Sequence, residues 1–291
     1  MNSDTRDAHP IPSLRRVIGG IALQGGVFIV VSFLGMGIWL TGWSLSGNPQ
    51  GALDGLVLFN GLLIAVAAWV SVALPLRFLI HWPWNRLGWP GWRGLDARFF
   101  TGVMVGVLVW LGIVALLWMG GGVSWTPAEF RGGRWLAEGV SLLLGAWGEE
   151  VVFRGFWFSL LAVRLSAPWA VLVSSLAFAL LHSFNPAWSL SASIGVFLAG
   201  IVLALARHRT RGLAWPIGFH WAWNAMQGLV LGLPVSGMPL HAPWQGTAHG
   251  PVWWTGGAFG PEAGLAAWLV LGLLGLGWLR RKPIPQTKEA L

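Results

Sequence analysis

Eight long apolar runs divide this chain of 291 residues, and they restrict its fold more than any other feature. Each run can cross roughly 30 Å of hydrocarbon as a helix that rises about 1.5 Å per residue. Lipid offers the backbone no hydrogen-bond partners, so only helices and closed barrels can cross it. The runs are residues 17–41, 55–80, 99–120, 138–162, 167–184, 189–206, 213–233 and 262–279. They predict an all-α membrane bundle of about eight transmembrane helices. The fifth, sixth and eighth runs are the shortest, with 18 residues each.

Composition supports a membrane protein rather than a soluble one. Of all residues, 55% are hydrophobic and 10% are charged, and the mean hydropathy is +0.66. A soluble domain carries about 25% charged residues. We therefore expect one membrane domain over residues 17–279, between an N-terminal tail at 1–16 and a C-terminal tail at 280–291.

The basic residues predict the orientation. The net charge of +8 would suggest nucleic-acid binding in a soluble protein, but here the charges occupy short loops between apolar runs. Fifteen of the 18 Lys and Arg residues lie on one side if the chain starts in the cytoplasm and crosses eight times. We expect a multi-pass protein of a prokaryotic plasma membrane, with both termini cytoplasmic. Its partner is the lipid bilayer rather than a nucleic acid, and its oligomeric state is left open.

The fourth run contains three ionisable residues, Glu149, Glu150 and Arg154. Each charge at the centre of a membrane helix costs about 2.5–3.5 kcal/mol, and such residues are usually functional. Glu150 and Arg154 are spaced i,i+4 and can form a structural ion pair. Glu149 points about 100° away around the helix and has no such partner. We therefore expect a functional role for Glu149 and a supporting role for the other two.

Two further runs carry polar pairs on one helical face. Phe178 and His182 are spaced i,i+4 in the fifth run, and His220 and Asn224 have the same spacing in the seventh. A single histidine or asparagine in such a helix can simply be a packing contact. His182 also falls near the outer end of its run, whereas Glu149 and Asn224 fall near mid-membrane. The fifth helix is therefore expected to be shifted or broken near Asn185-Pro186, or the helices to be offset.

A carboxylate, two imidazoles and an amide together suffice for hydrolysis of an amide bond. Glu149 with a neighbouring histidine can hold and deprotonate a water molecule. The other histidine and the asparagine amide can donate to the oxyanion that forms on the attacked carbonyl. No Ser, Cys or Asp stands out as a nucleophile in this set, and the chain has no cysteine. The residues therefore favour a water molecule activated by a general base.

These three motifs, in this order, resemble those of the CPBP family. This is the CAAX-protease and bacteriocin-processing family of intramembrane proteases, also called Abi or type II CAAX prenyl endopeptidases. The resemblance covers about residues 138–233, taken as the catalytic core. It implies that Glu149 activates water with His182, and that His220 and Asn224 form the oxyanion site. Glu150, Arg154 and Phe178 would shape the cavity, and the substrate would be a peptide or membrane protein that need not be prenylated.

Several alternatives remain open from the sequence. Glu149, His182 and His220 form a His₂Glu set of the kind that catalytic zinc uses, although a mechanism without a cofactor is favoured. The chain could also be a non-catalytic, bacteriocin-immunity-like or scaffold protein that uses the polar cluster for packing. A transporter with Glu149 as a proton or cation site is the third hypothesis.

Overall fold

The computed structural model describes residues 10–46, 49–89 and 97–281 and is helical along most of them. The α-helices are α1 Leu14–Ser46, α2 Pro49–Pro75, α3 Ala97–Met119, α4 Gly132–Glu150, α5 Phe158–Arg164, α6 Ala167–Leu181, α7 Leu190–Thr210, α8 Ala214–Ala225, α9 Val252–Thr255 and α10 Leu265–Arg280. Each of the eight apolar runs forms a mainly helical segment, so the predicted all-α class is confirmed. Most of the two predicted tails, 1–16 and 280–291, lies outside the described residues.

Five helices are long and apolar enough to cross a membrane. They include the helices of the fifth and sixth runs, which are separate in the structure and joined by a short turn. Large apolar side chains such as Phe33, Phe100 and Met104 are exposed on the outside of the bundle, as contact with lipid requires. The protein is therefore an integral membrane protein, whereas the total of eight spans and the position of the termini stay predictions.

Three helices continue into π-helical segments, in which the backbone hydrogen bonds reach one residue further than in an α-helix. These segments are Leu76–Ile80 after α2, Val151–Trp157 between α4 and α5, and Met226–Val230 after α8. Such segments are rare and frequently occur at functional sites. The second begins directly after Glu150, and the third begins shortly after Asn224.

Small residues bring α3 and α8 into close contact. A methyl group added to Gly102 would lie 2.3 Å from the carbonyl oxygen of Trp215, and one added to Gly106 would lie 2.9 Å from Ala222 Cβ. Glycines at this spacing let two membrane helices approach closely. Because α8 carries His220 and Asn224, this contact helps to fix the position of the polar cluster.

A short sheet and a folded segment cover one end of the bundle. Strand β1 (Val123–Pro127) pairs antiparallel with β2 (Trp244–Ala248), and this sheet was not predicted from the sequence. Strand β2 belongs to the cap segment, defined as residues 231–264, which folds back on the helices. Glu138 of α4 anchors this segment by accepting a hydrogen bond from the backbone N–H of His241 at 2.6 Å. The cap segment closes the end of the bundle nearest the polar cluster.

Candidate active site

Three helices bring the predicted site residues together. Glu149 lies near the end of α4, His182 directly follows the last residue of α6, and His220 lies in the middle of α8. The expectation of a broken or offset helix agrees with the structure, because α6 ends at Leu181 and a 3₁₀ turn, His182–Phe184, follows. The three helices are offset along their axes. The end of α4, the turn after α6 and the middle of α8 therefore meet at one point.

The meeting point is one carboxylate oxygen, Glu149 Oε2. It lies 4.0 Å from His182 Nε2 and 3.8 Å from His220 Nε2. This oxygen is buried and makes no hydrogen bond to any described residue, although the whole side chain is 31% exposed. Both distances are too long for direct hydrogen bonds, but a water molecule could bridge such gaps.

The second ring nitrogen of each histidine is already engaged. His182 Nδ1 lies 2.8 Å from the carbonyl oxygen of Phe178, which can only accept a hydrogen bond, so this nitrogen must carry the proton. His220 Nδ1 lies 2.9 Å from Glu150 Oε1 and donates to this carboxylate. These bonds fix the ring orientations and leave Nε2 of each ring facing Glu149.

Glu150 and Arg154 form the ion pair that their spacing predicts. Arg154 Nη1 lies 3.1 Å from Glu150 Oε1, and both side chains are 0% exposed. The guanidinium also donates to the carbonyl oxygen of Gly200 and lies 4.2 Å from the ring centre of Phe178. Glu150 therefore neutralises a buried cation and orients His220 at the same time.

Arg207 supports this pair from α7, a role that the sequence did not reveal. The sixth apolar run ends at residue 206, but α7 extends to Thr210 and Arg207 is buried. Its Nε donates to the backbone carbonyl of Arg154 at 3.2 Å. The carbonyl lies in the π-helical segment, where the hydrogen-bond pattern of the helix changes. The sequence feature that could have revealed this role is an arginine directly after the end of an apolar run.

A small cavity of about 40 Å³ lies beside the histidines. A water molecule needs about 10–15 Å³ of such space, so the cavity has room for roughly three waters. Residues of three helices and of the cap segment line it, among them Phe178, His182, His220, Asn224, Ser236 and Glu262.

Residues 132–226 match the family model described as type II CAAX prenyl endopeptidase, Rce1-like. The match covers 95 of the 291 residues and agrees with the resemblance to the CAAX-protease family. The matched segment contains all the site residues predicted from the sequence, whereas Ser236 and Glu262 lie beyond its end. None of the curated proteins in the comparison matches the chain.

Glu149 Oε2 lies further from the two histidine nitrogens than the ligands of a bound zinc ion lie from one another. Ligands of a tetrahedral zinc ion with bonds of about 2.0–2.1 Å lie about 3.3 Å apart. Glu149 Oε2 is 3.8 and 4.0 Å from the two ring nitrogens. Across the described ranges, no group of three His, Cys, Asp or Glu residues is arranged to hold a metal ion.

Glu262 is the titratable residue of the cavity that the sequence did not reveal. It lies in the 3₁₀ turn before α10 and is 4% exposed. It is the first residue of the eighth apolar run, and a carboxylate at the edge of such a run was the available signal. Ser236 donates two hydrogen bonds to the Glu262 carboxyl, one from its backbone N–H and one from its hydroxyl.

Proposed function

We propose that the protein is an intramembrane endopeptidase of the CAAX-protease type, in which Glu149 activates a water molecule. One observation carries the proposal: the free Nε2 atoms of His182 and His220 approach the same unbonded oxygen of Glu149. The match of residues 132–226 to an endopeptidase family supports the same reaction. No ion is required for it.

In the first step, a water molecule donates its hydrogens to Glu149 Oε2 and His182 Nε2. His182 can accept such a bond in its neutral form because its proton is on Nδ1. Glu149 removes one proton as the water oxygen forms a bond to the carbonyl carbon of the peptide. The electron pair of the carbonyl moves to its oxygen and gives a tetrahedral oxyanion.

His220 and Asn224 stabilise this oxyanion. His220 Nδ1 donates to Glu150, so its Nε2 can donate only if the ring is protonated. Protonation gives the four groups Glu149, Glu150, Arg154 and His220 a total charge of zero, which is favourable in a buried site. The Asn224 amide, on the next turn of α8, supplies the second donor. Donors held in place in a low-dielectric site are among the strongest catalytic contributions.

In the second step, the oxyanion collapses and the C–N bond breaks. The leaving nitrogen takes the proton that Glu149 removed from water. The products are a carboxyl and an amine, and Glu149 returns to its charged form. The substrate is a peptide or a membrane protein, and the site residues do not require that it be prenylated.

Cleavage by the purified protein in detergent or liposomes tests the proposal. A library of fluorescence-quenched peptides is incubated with the wild type, Glu149→Gln and Glu129→Gln. Glu129 is an exposed carboxylate that pairs with Arg131 outside the site, and it therefore provides a matched control. We expect cleavage by the wild type and the control and none by Glu149→Gln.

Two other results would refute the proposal. Absence of cleavage by the wild type would favour the scaffold or immunity hypothesis. Proton or cation transport that is lost in Glu149→Gln, without cleavage, would favour the transporter hypothesis.

A further inference from the structure

Glu262 is a buried carboxylate in the cavity that the proposed reaction does not use. The backbone N–H and the hydroxyl of Ser236 donate to its Oε1 at 2.6 and 2.8 Å. Its Oε2 is buried and has no hydrogen-bond partner within 3.5 Å among the described residues, although the side chains of Gln227 and Trp223 lie close enough to interact with the carboxyl. A buried, unpaired acceptor costs free energy, so such an atom calls for an explanation.

Several contacts hold Glu262 in place. Ser236 adopts a left-handed backbone conformation with φ of 48°, which is uncommon for a residue other than glycine. In this conformation, its backbone N–H and its hydroxyl both donate to Oε1 of Glu262. On the other side, a methyl group added to Gly195 of α7 would lie 1.8 Å from the carbonyl oxygen of Glu262. The backbone of Glu262 is therefore packed against α7, and Ser236 fixes the orientation of its carboxylate.

The charges of the site leave Glu262 without a counter-ion. Glu150 is paired with Arg154, and a protonated His220 balances Glu149. Within the described part of the chain, no lysine or arginine lines the cavity. Ionised Glu262 adds one uncompensated negative charge to the cavity. A cation that enters the cavity would neutralise that charge and bind the free Oε2.

We propose that Glu262 forms a substrate subsite that binds an ammonium group next to the scissile peptide bond. The cavity of about 40 Å³ has room for roughly three water molecules, which is enough for an ammonium group beside the catalytic water. The ammonium can belong to a lysine side chain or to a free amino terminus. This inference rests on the proposed endopeptidase activity, because it assigns Glu262 to substrate recognition in the same cavity.

Glu138 provides a matched control for Glu262. It is 3% exposed and also anchors the cap segment, because its carboxylate accepts a hydrogen bond from the backbone N–H of His241 and a second from Arg134. It does not line the cavity. If Glu262 serves only as an anchor, Glu262→Gln and Glu138→Gln will have the same kind of effect.

The first experiment varies the substrate. Each position of a cleaved peptide is replaced in turn by lysine and by norleucine, its uncharged analogue, and the amino terminus is either free or acetylated. We expect one ammonium to raise kcat/KM of the wild type by about 10- to 100-fold, the range for a hydrogen bond to a charged group. The difference between lysine and norleucine, or between free and acetylated peptides, identifies its source.

The variants then locate this preference. In Glu262→Gln, the kcat/KM preference for the ammonium-bearing peptide should fall to less than about threefold, and the uncharged peptides should still be cleaved. Glu138→Gln should show the same preference as the wild type. If kcat/KM falls equally for all peptides in both variants, Glu262 only anchors the cap segment and the subsite is refuted. The same conclusion follows if the wild type shows no preference for an ammonium group at any position.

A second experiment does not depend on cleavage. At pH 8, n-butylammonium chloride should raise the Tm of the wild type and not that of Glu262→Gln, and n-butanol should raise neither. Binding of n-butylammonium without any peptide cleavage would keep the ammonium site and refute the endopeptidase. Cleavage without a preference for ammonium, and without binding of n-butylammonium, would support the endopeptidase and refute the ammonium site.

Discussion

The two adjacent glutamates of α4 should respond differently to the same substitution. Glu150 is fully buried and accepts hydrogen bonds from Arg154 and His220. Its replacement by glutamine removes the charge that compensates Arg154, whose other hydrogen bond is to the carbonyl of Gly200. Removal of one partner from a buried ion pair costs about 3–5 kcal/mol. We expect Glu150→Gln to lower the free energy of unfolding by that amount.

Glu149→Gln should leave the fold nearly unchanged and abolish the reaction. The side chain is 31% exposed, and the oxygen that faces the histidines makes no hydrogen bond. A substitution that removes no buried contact usually changes the free energy of unfolding by less than about 0.5 kcal/mol. The glutamine cannot accept a proton from water, so the loss of activity should be complete.

The measurement combines unfolding and cleavage. The 23 tryptophans provide an intrinsic fluorescence signal for unfolding in detergent, and peptide cleavage is followed in the same samples. The double variant Glu150→Gln/Arg154→Met should recover part of the stability, because it removes the uncompensated cation as well. Equal losses of stability and activity in both single variants would refute this division of roles.

Further predictions concern catalysis, metal dependence, pH and topology. Asn224→Ala should lower kcat by about 10²–10³-fold with little change in KM, and His182→Ala should alter the acidic limb of the pH profile as well. Chelators should not affect peptide cleavage, whereas one equivalent of zinc that is lost and restored together with activity would overturn the glutamate–water mechanism. Reporter fusions should lie outside the cell after residues 50, 130 and 245 and inside after residues 90, 210 and 288, and two or more reversals would exclude the eight-span topology.

The sequence alone determined the fold class and the members of the predicted site. Hydrophobic runs of about 20 residues have few stable alternatives to a membrane helix, because the backbone must form its hydrogen bonds internally. Charged residues are rare in such runs, so Glu149, Glu150 and Arg154 were conspicuous without any structure. The order of the three motifs then indicated a family, which the match over residues 132–226 supports.

Only the tertiary structure decided which atoms face one another. The local spacing predicted the pair of Glu150 and Arg154, but the bond from His220 to the same carboxylate joins residues that are 70 positions apart. Such contacts depend on the offset between helices, which the pattern along a single helix does not contain. The burial of Arg207 and the contact of Glu138 with the cap segment could not be derived for the same reason.

The cap segment shows this limit most clearly. Its residues 231–264 are rich in glycine, proline and tryptophan and have no helical periodicity that would predict their path. Ser236 and Glu262 are 26 positions apart, and they meet because this segment folds back between β1 and the helices. An apolar run identifies a helix from local composition, whereas a cavity forms from distant parts of the chain. The sequence therefore determined the helices and the chemistry of their polar residues, and the packing of helices and cap segment decided the shape and charge of the cavity.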